Sequence, residues 1–342
     1  MQKLKFQYLV ATRWWAFFVG LTVTLLFLRC PAQGKDNAEA QGRPLLKAAA
    51  ERSLLHIDGS SPTDLRLSFA ILGSRSKRTK GTYTWIVSHT GDWRKEVVFA
   101  DYSNIEVGRG ATVWVKRNLD FNPIEAAWLE AIYSNHQYLN IPEDTIDRYF
   151  VTSEHHVQLR CVDLFRDKKP RTLCFDPQDN LIRATVGELN LTFEYSDYRP
   201  AGQKFVPFKV ALKQEGKTML EAEVDGLSTD KKMDPNLFDP PAGAIKRSGC
   251  LAPTLPRPTK TSFPKYPQIA LAMREEGTVT MYILIASDGT SHNAKVIETT
   301  EKVFNEVSLG VIPAWQFEPA KCGDLAVDFE TTIALNFSLQ PR

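Results

Sequence analysis

The tightest constraint on this chain lies toward its C-terminus, where a set of landmarks occurs in fixed order. Tyr266-Pro267 opens a short amphipathic segment, Gly277 begins an alternating run over 278–285, and Asp288-Gly289 turns it back. A second strand at 294–298, a helical stretch at 303–311, the cluster Trp315-x-Phe317-x-Pro319-Ala320 and a last alternating strand at 327–337 follow. Period-two alternation marks strands, and Asp-Gly marks a tight turn between them. The expected unit is small and runs helix, strand, strand, helix, strand, with Asp288 and Gly289 serving only as turn formers.

In the last strand Val327, Phe329, Thr331, Ile333, Leu335 and Phe337 alternate with Asp328, Glu330, Thr332, Ala334 and Asn336, which reads as one buried and one wet face. Trp315 and Phe317 are expected to pin the second helix to the sheet. The order resembles the C-terminal domain of the TonB family, which reads Tyr-Pro, helix, Gly, strand, Asp-Gly, strand, helix, Trp-x-Phe-x-Pro-Ala, strand. The resemblance implies a non-enzymatic envelope protein with a role in transport, whose edge strand accepts a strand from an envelope partner. Main-chain hydrogen bonds then supply the affinity. On that reading Val327, Phe329, Thr331, Ile333, Leu335 and Phe337 are the partner-docking positions. The chain also departs from the family. Energy transducers join a His-bearing anchor helix to a long Pro-rich spacer, whereas here the apolar segment at 14–28 has no His and the Pro-rich stretch is short. Pro313 interrupts the second helix, and Cys322 takes a loop position that is usually polar.

Residues 1–34 are set apart as a signal peptide or N-terminal anchor. Lys3, Lys5 and Arg13 precede or border the uninterrupted apolar run at 14–28, which is short for a bilayer span and suits a signal peptide. Ala32 and Gly34 offer cleavage positions, and Arg29 sits where a lipobox needs a small residue before Cys30. An uncleaved anchor is the competing reading, with 8–11 extending the apolar stretch. Either way the body is expected in the periplasm, with membrane contact only through 14–28 if that segment is uncleaved. The chain has 42 basic and 40 acidic residues; Lys3, Lys5, Arg13 and Arg29 lie in the export segment, which has no acid, so the remainder carries 38 against 40. No Lys/Arg stripe with interleaved aromatics occurs, and nucleic acid is not an expected partner.

Beyond Cys30 four cysteines remain, Cys161, Cys174, Cys250 and Cys322, an even number that an oxidising compartment pairs. Three connectivities are possible. A hairpin centred on Asp167 and Lys168 would place Cys161 opposite Cys174, which favours that pair and leaves Cys250 for Cys322, stapling the linker onto the terminal domain. The absence of C-x-x-C and of a nearby His argues against a metal site. No H-E-x-x-H, P-loop, G-x-S-x-G or helix-opening G-x-G-x-x-G occurs, and the six histidines show no metal spacing. No catalytic, cofactor or metal residue is assigned.

The middle of the chain is a succession of short alternating runs. Polar residues 35–43 read as loose, and 44–57 as an amphipathic helix through Leu45, Leu46, Ala49, Ala50 and Leu54. Strands follow near 65–71, 83–87, 92–100, 104–107 and 112–116, then a helix at 124–133 behind Pro123. After the cysteine hairpin come strands near 181–186, 189–195, 205–213 and 219–227, closed by Asp234-Pro235-Asn236-Leu237-Phe238-Asp239-Pro240-Pro241. Consecutive antiparallel strands with few helices suggest a curved sheet wrapped on those helices. This region resembles the LolA and LppX-like lipoprotein carriers, in a Trp-containing strand after a Lys-Glu strand and in the D-P-x-L-F-x-x-P ending. The resemblance implies a half-barrel that binds lipid or lipoprotein acyl chains, with Leu67, Phe69, Trp85, Val98, Trp114 and Phe150 as candidate lining; the same side chains equally suit a packed core.

The expected fold class is thus α+β: a curved antiparallel half-barrel with packed helices over 35–243, a Pro-rich linker at 244–263, and a small α/β sandwich over 264–342. Two functions follow, a TonB-type docking protein of the envelope or a periplasmic lipid or lipoprotein carrier.

Overall fold

Alternating apolar residues commit most of the chain to strands, and a computed structural model shows how those strands associate. It describes residues 35–53, 62–72, 78–132, 145–154, 157–166, 169–187, 191–229, 232–251 and 253–339. The chain runs α1 (Lys35–Arg52), β1 (Thr63–Leu72), β2 (Arg78–Val87), β3 (Trp93–Phe99), β4 (Tyr102–Arg109), β5 (Thr112–Arg117) and α2 (Ile124–Ile132). Seven strands follow: β6 (Thr145–Glu154), β7 (Val157–Arg166), β8 (Lys169–Phe175), β9 (Ile182–Val186), β10 (Leu191–Ala201), β11 (Lys204–Gln214) and β12 (Lys217–Ser228). The linker contributes β13 (Ile245–Ser248) and β14 (Arg257–Lys260). The last unit holds α3 (Gln268–Met273), β15 (Gly277–Ile285), β16 (Ser291–Thr299), α4 (Asn305–Val311), β17 (Gln316–Glu318), β18 (Ala320–Cys322), β19 (Leu325–Val327) and β20 (Phe329–Phe337).

Thirteen strands form one large, curved, open sheet in the order β13-β5-β4-β3-β2-β1-β12-β11-β10-β9-β8-β7-β6. Neighbours pair antiparallel, and β1 closes on β12 by a long-range pairing from Asp64↔Ser228 to Ile71↔Leu220. One face carries the main core, with Leu65, Leu67, Phe69, Tyr83, Trp85, Val97, Leu173, Val210 and Leu212 packed under Leu46 and Ala49 of α1 and Leu129 and Ile132 of α2. The opposite face carries two satellite clusters, Leu159, Cys161, Cys174 and Ala184 in one and Ile86, Val107 and Phe238 in the other.

The structure revises one sequence expectation here and adds strands in two stretches where the sequence suggested none. The polar stretch at 35–43 is the first half of α1, which runs through Pro44 without stopping. Ala38, Gly42, Leu45, Leu46 and Ala49 are the buried side of that helix, and a Cβ on Gly42 would stand 3.0 Å from Ile146 Cδ1, so a small residue lets α1 lie close on β6. Glu39 caps the contact by accepting from the Ile146 amide at 3.2 Å. Strand β6, to which the sequence reading assigned no element, lies at the edge of the sheet, where Val151 is exposed. The Pro-rich stretch at 244–263, expected to be held by the Cys250 bridge, is also paired along two short strands. β13 pairs with β5 from Ile245↔Val115 to Ser248↔Thr112, and β14 pairs with β17. Among the described residues no helix is long and apolar enough to cross a membrane; residues 14–28 lie outside them.

Candidate functional site

The terminal unit is built on a three-stranded antiparallel sheet in the order β16-β15-β20. Val279, Met281, Ile283 and Ile285 of β15 and Ile333, Leu335 and Phe337 of β20 share one face, and Ala270, Phe304, Ile312, Trp315 and Phe317 pack on it. Phe304 stacks on Phe337 with centroids 4.1 Å apart, and Tyr266 meets both rings edge-on. Trp315 is buried, and its indole Nε1 donates to the Ser262 carbonyl at 2.9 Å. The Asp-Gly turn does more than reverse the chain. Gly289 has φ of 84°, and a Cβ there would lie 2.1 Å from the Phe317 carbonyl oxygen, while the Phe317 amide donates to the Gly289 carbonyl at 2.9 Å. Only glycine allows the W-x-F segment to lie against that turn.

The second face of this sheet was expected to be wet, and it is dry. Thr280 and Tyr282 of β15 and Thr332 and Ala334 of β20 are all buried. The rim of the large sheet covers them: the Phe121 ring lies 6.4 Å from the Tyr282 ring, and Lys295 of β16 pairs with Asp120. At the centre Glu330 takes both ends of the Arg117 guanidinium, at 2.6 Å from Nη1 and 2.5 Å from Nη2, and also pairs with Arg247. Arg117 Nη2 lies 3.2 Å from the Tyr282 hydroxyl. The Arg117 side chain is only 5% exposed and that of Glu330 19%. Burial alone would push the Glu330 carboxyl up; the Arg117 bonds and the charges of Arg117 and Arg247 outweigh it and hold it below the usual carboxylate range. Burial and the Glu330 charge push the Tyr282 phenol up to about 12.

The run at 327–337 does not form one strand. Val327 ends β19, paired to Ala320 of β18, and is fully buried there. Asp328 makes the break, accepting from the Ser287 amide at 3.0 Å while its own amide donates to Ser248 Oγ at 3.1 Å. From Phe329 onward the chain is β20, which pairs with β15 from Ile285↔Phe329 to Gly277↔Phe337 and has no strand on its other side among the described residues. Phe329, Thr331, Ile333, Leu335 and Phe337 thus share the face that meets the helices, and Val327 does not join them.

In the large sheet the six positions expected to line a cavity are divided. Leu67, Phe69 and Trp85 face the main core. Val98 is exposed between Val97 and Phe99, which both point into that core; Trp114 packs with Ile86, Val107 and Phe238, and Phe150 with Leu159 and Cys161. Strand parity separates the two groups, so they share no wall. That outer face instead carries a hollow of about 1000 Å³ running across the sheet from Lys80 and Thr82 to Val157 and Leu159. Both disulfides are present: Cys161–Cys174 joins residues directly opposite each other on β7 and β8, and Cys250–Cys322 ties the linker to β18. Among the described residues no group of three or more His, Cys, Asp or Glu is placed to hold a metal ion.

Arg117, Arg247, Tyr282 and Phe121 went unnoticed in the sequence, because each is ordinary in its own strand or loop. The one available signal was Glu330, the single charged residue in a strand otherwise made of Phe, Thr, Ile, Ala, Leu and Asn.

Comparison with known proteins bears on both halves. No curated protein matches the chain. Similar solved structures include a LolA superfamily protein from Nitrosomonas europaea, with 8% identity over 58% of this chain and 96% of that chain and a TM-score of 0.39. The MucA/MucB complex of Pseudomonas aeruginosa gives 10% identity, 86% and 93% coverage and a TM-score of 0.30. The TonB C-terminal domain of Pseudomonas aeruginosa gives 28% identity over 25% of this chain and 89% of that chain, with a TM-score of 0.23. The family model of the Gram-negative bacterial TonB protein C-terminal matches residues 262–339, so the chain's tie to the TonB family is its terminal unit.

Proposed function

We propose that this is an exported cell-envelope protein that docks on another envelope protein through strand addition to β20, in support of transport. One observation carries the reading: both faces of the three-stranded sheet are covered, one by α3, α4 and Trp315 and the other by the rim of the large sheet, and the outer edge of β20 is paired by no strand among the described residues. A partner strand there would form main-chain hydrogen bonds without displacing either face. The match of 262–339 to the TonB C-terminal family supports the same reading and the periplasmic location that goes with it. On this reading 35–243 and 264–342 are two domains, held together by the tied-down stretch between them, and the terminal domain is a helix–strand–strand–helix–strand unit of TonB type. The carrier alternative draws less support, because its six lining positions fall on two faces of the sheet.

The test places a photo-cross-linking residue at Thr331 or Asn336 of β20, or at His292 of β16, the opposite edge strand. Adducts of one envelope protein from the β20 positions and none from His292 are expected. Adducts from His292 alone would overturn docking at β20.

A further inference from the structure

A second surface on this chain stands out by charge and exposure, and it is independent of the β20 edge. Residues 240–274 contain no Asp or Glu and six cations, Lys246, Arg247, Arg257, Lys260, Lys265 and Arg274. Arg247 is taken up by Glu330. Among the described residues Arg257, Lys260, Lys265 and Arg274 take part in no ion pair. The same stretch gathers apolar side chains in water: of the thirteen exposed large hydrophobics among the described residues, six, Ile245, Leu255, Phe263, Ile269, Leu271 and Met273, fall within it.

The two properties meet at α3. Its sequence, Gln-Ile-Ala-Leu-Ala-Met, buries Ala270 alone, with Ile269 at 61% and Met273 at 63% exposure. A helix apolar around most of its surface belongs in an apolar environment, and this one faces solvent. It spans about 9 Å, so Lys265 before it and Arg274 after it flank the exposed apolar side chains closely. Phe263 and Lys260 extend the surface along the preceding loop and β14, whose residues are all exposed. Glu275 and Glu276 follow, the latter engaged by the Leu339 amide at 2.6 Å.

The geometry points to 260–274 as a peripheral membrane-binding surface for anionic lipid. A bilayer interface offers apolar depth of roughly 5–10 Å for Ile269 and Met273, which share one side of the helix, and anionic headgroups for Lys260, Lys265 and Arg274. An acidic polypeptide would satisfy the cations and leave the apolar side chains in water. Bound this way, the terminal unit would lie on the lipid through α3.

Hydrogen exchange on the full chain tests this locally, whatever residues 14–28 do. Peptides covering 261–274 should slow on phosphatidylglycerol vesicles and not on phosphatidylcholine vesicles. Lys260→Glu, Lys265→Glu and Arg274→Glu should each weaken vesicle partition at least about fivefold, the worth of one cation near an anionic surface. Ile269→Ser with Met273→Ser should abolish the slowing, with exchange in 278–285 unchanged as the sign of an intact fold. Unchanged exchange of the wild-type chain on phosphatidylglycerol overturns the inference without any variant. So does equal slowing on both lipids, or slowing by polyglutamate in the absence of vesicles, which would indicate an acidic polypeptide.

Discussion

The large sheet and the small one cover their faces differently. The thirteen-stranded sheet packs one face under α1 and α2 and leaves the other largely in water, with small satellite clusters on it. The three-stranded sheet is closed on both faces, by its own helices on one side and by Phe121, Arg117 and Arg247 on the other. A covered face offers a partner no side chains, so what the small sheet still presents is backbone at an edge. The large sheet differs: its outer face is rich in exposed side chains such as Lys80, Lys209, Glu221 and Glu223 around the hollow, and its edge strands are β13, of four residues, and β6, against which α1 packs.

Three single substitutions, the removal of each disulfide and a titration test how far this contrast holds. Trp315→Ala removes the largest buried side chain of the small sheet's helical face and should cost about 3–5 kcal/mol; chemical denaturation followed by Tyr266 and Tyr282 environment should show the terminal unit lost first. Replacing Cys250 and Cys322 by Ser opens a loop of 72 residues, worth about 4 kcal/mol in the chain-entropy model, against about 3 kcal/mol for the 13-residue separation of Cys161 and Cys174. Thermal melts should rank the two in that order; the reverse ranking would mean that the interface, and not the bridge, holds the units together. Glu330→Ala leaves Arg117 buried without its carboxylate and should cost about 3 kcal/mol, read as a drop in the denaturation midpoint. Gly289→Ala meets the Phe317 carbonyl and a left-handed backbone, for about 2–3 kcal/mol, measurable in the same way.

The smallest effect is the acid limb. Because the Glu330 carboxyl is held below its ordinary value of 4.5, its contribution is fully present above that pH and is lost as pH falls below it. The stability gap between wild type and Glu330→Gln should therefore narrow from pH 6 toward pH 3. A gap independent of pH would place the contribution of Glu330 in packing and not in its charge.

Much of the architecture was legible because it is written in local patterns. The runs at 278–285 and 329–337 alternate, Gly277 and Asp288-Gly289 punctuate them, and Cys161 and Cys174 flank a turn sequence, so strand, turn and bridge follow from neighbours in the chain. What the sequence hid depends on distant partners. Glu330 and its neighbours Thr332 and Ala334 look like a solvent face until Arg117, 213 residues earlier, and Arg247 are brought to them. The same blindness assigned Trp114, Val98 and Phe150 to the wall of Leu67 and Phe69: alternation shows that two faces exist, and only the packing of α1 and α2 shows which one is the core. The polar stretch at 35–43 misled for a different reason, since its only small or apolar positions on the inner side, Ala38 and Gly42, complete the buried face that Leu45, Leu46 and Ala49 continue beyond Pro44.

The seating of the small sheet on the large one is tested most directly by hydroxyl-radical footprinting of Tyr282, whose ring lies on the covered face opposite the terminal core. Expected is a protected Tyr282 in the native chain that becomes reactive in Glu330→Ala while the far-ultraviolet circular dichroism is unchanged. A Tyr282 as reactive in the native chain as in the unfolded one would contradict the covered face, and with it the restriction of partner docking to the edges of the small sheet.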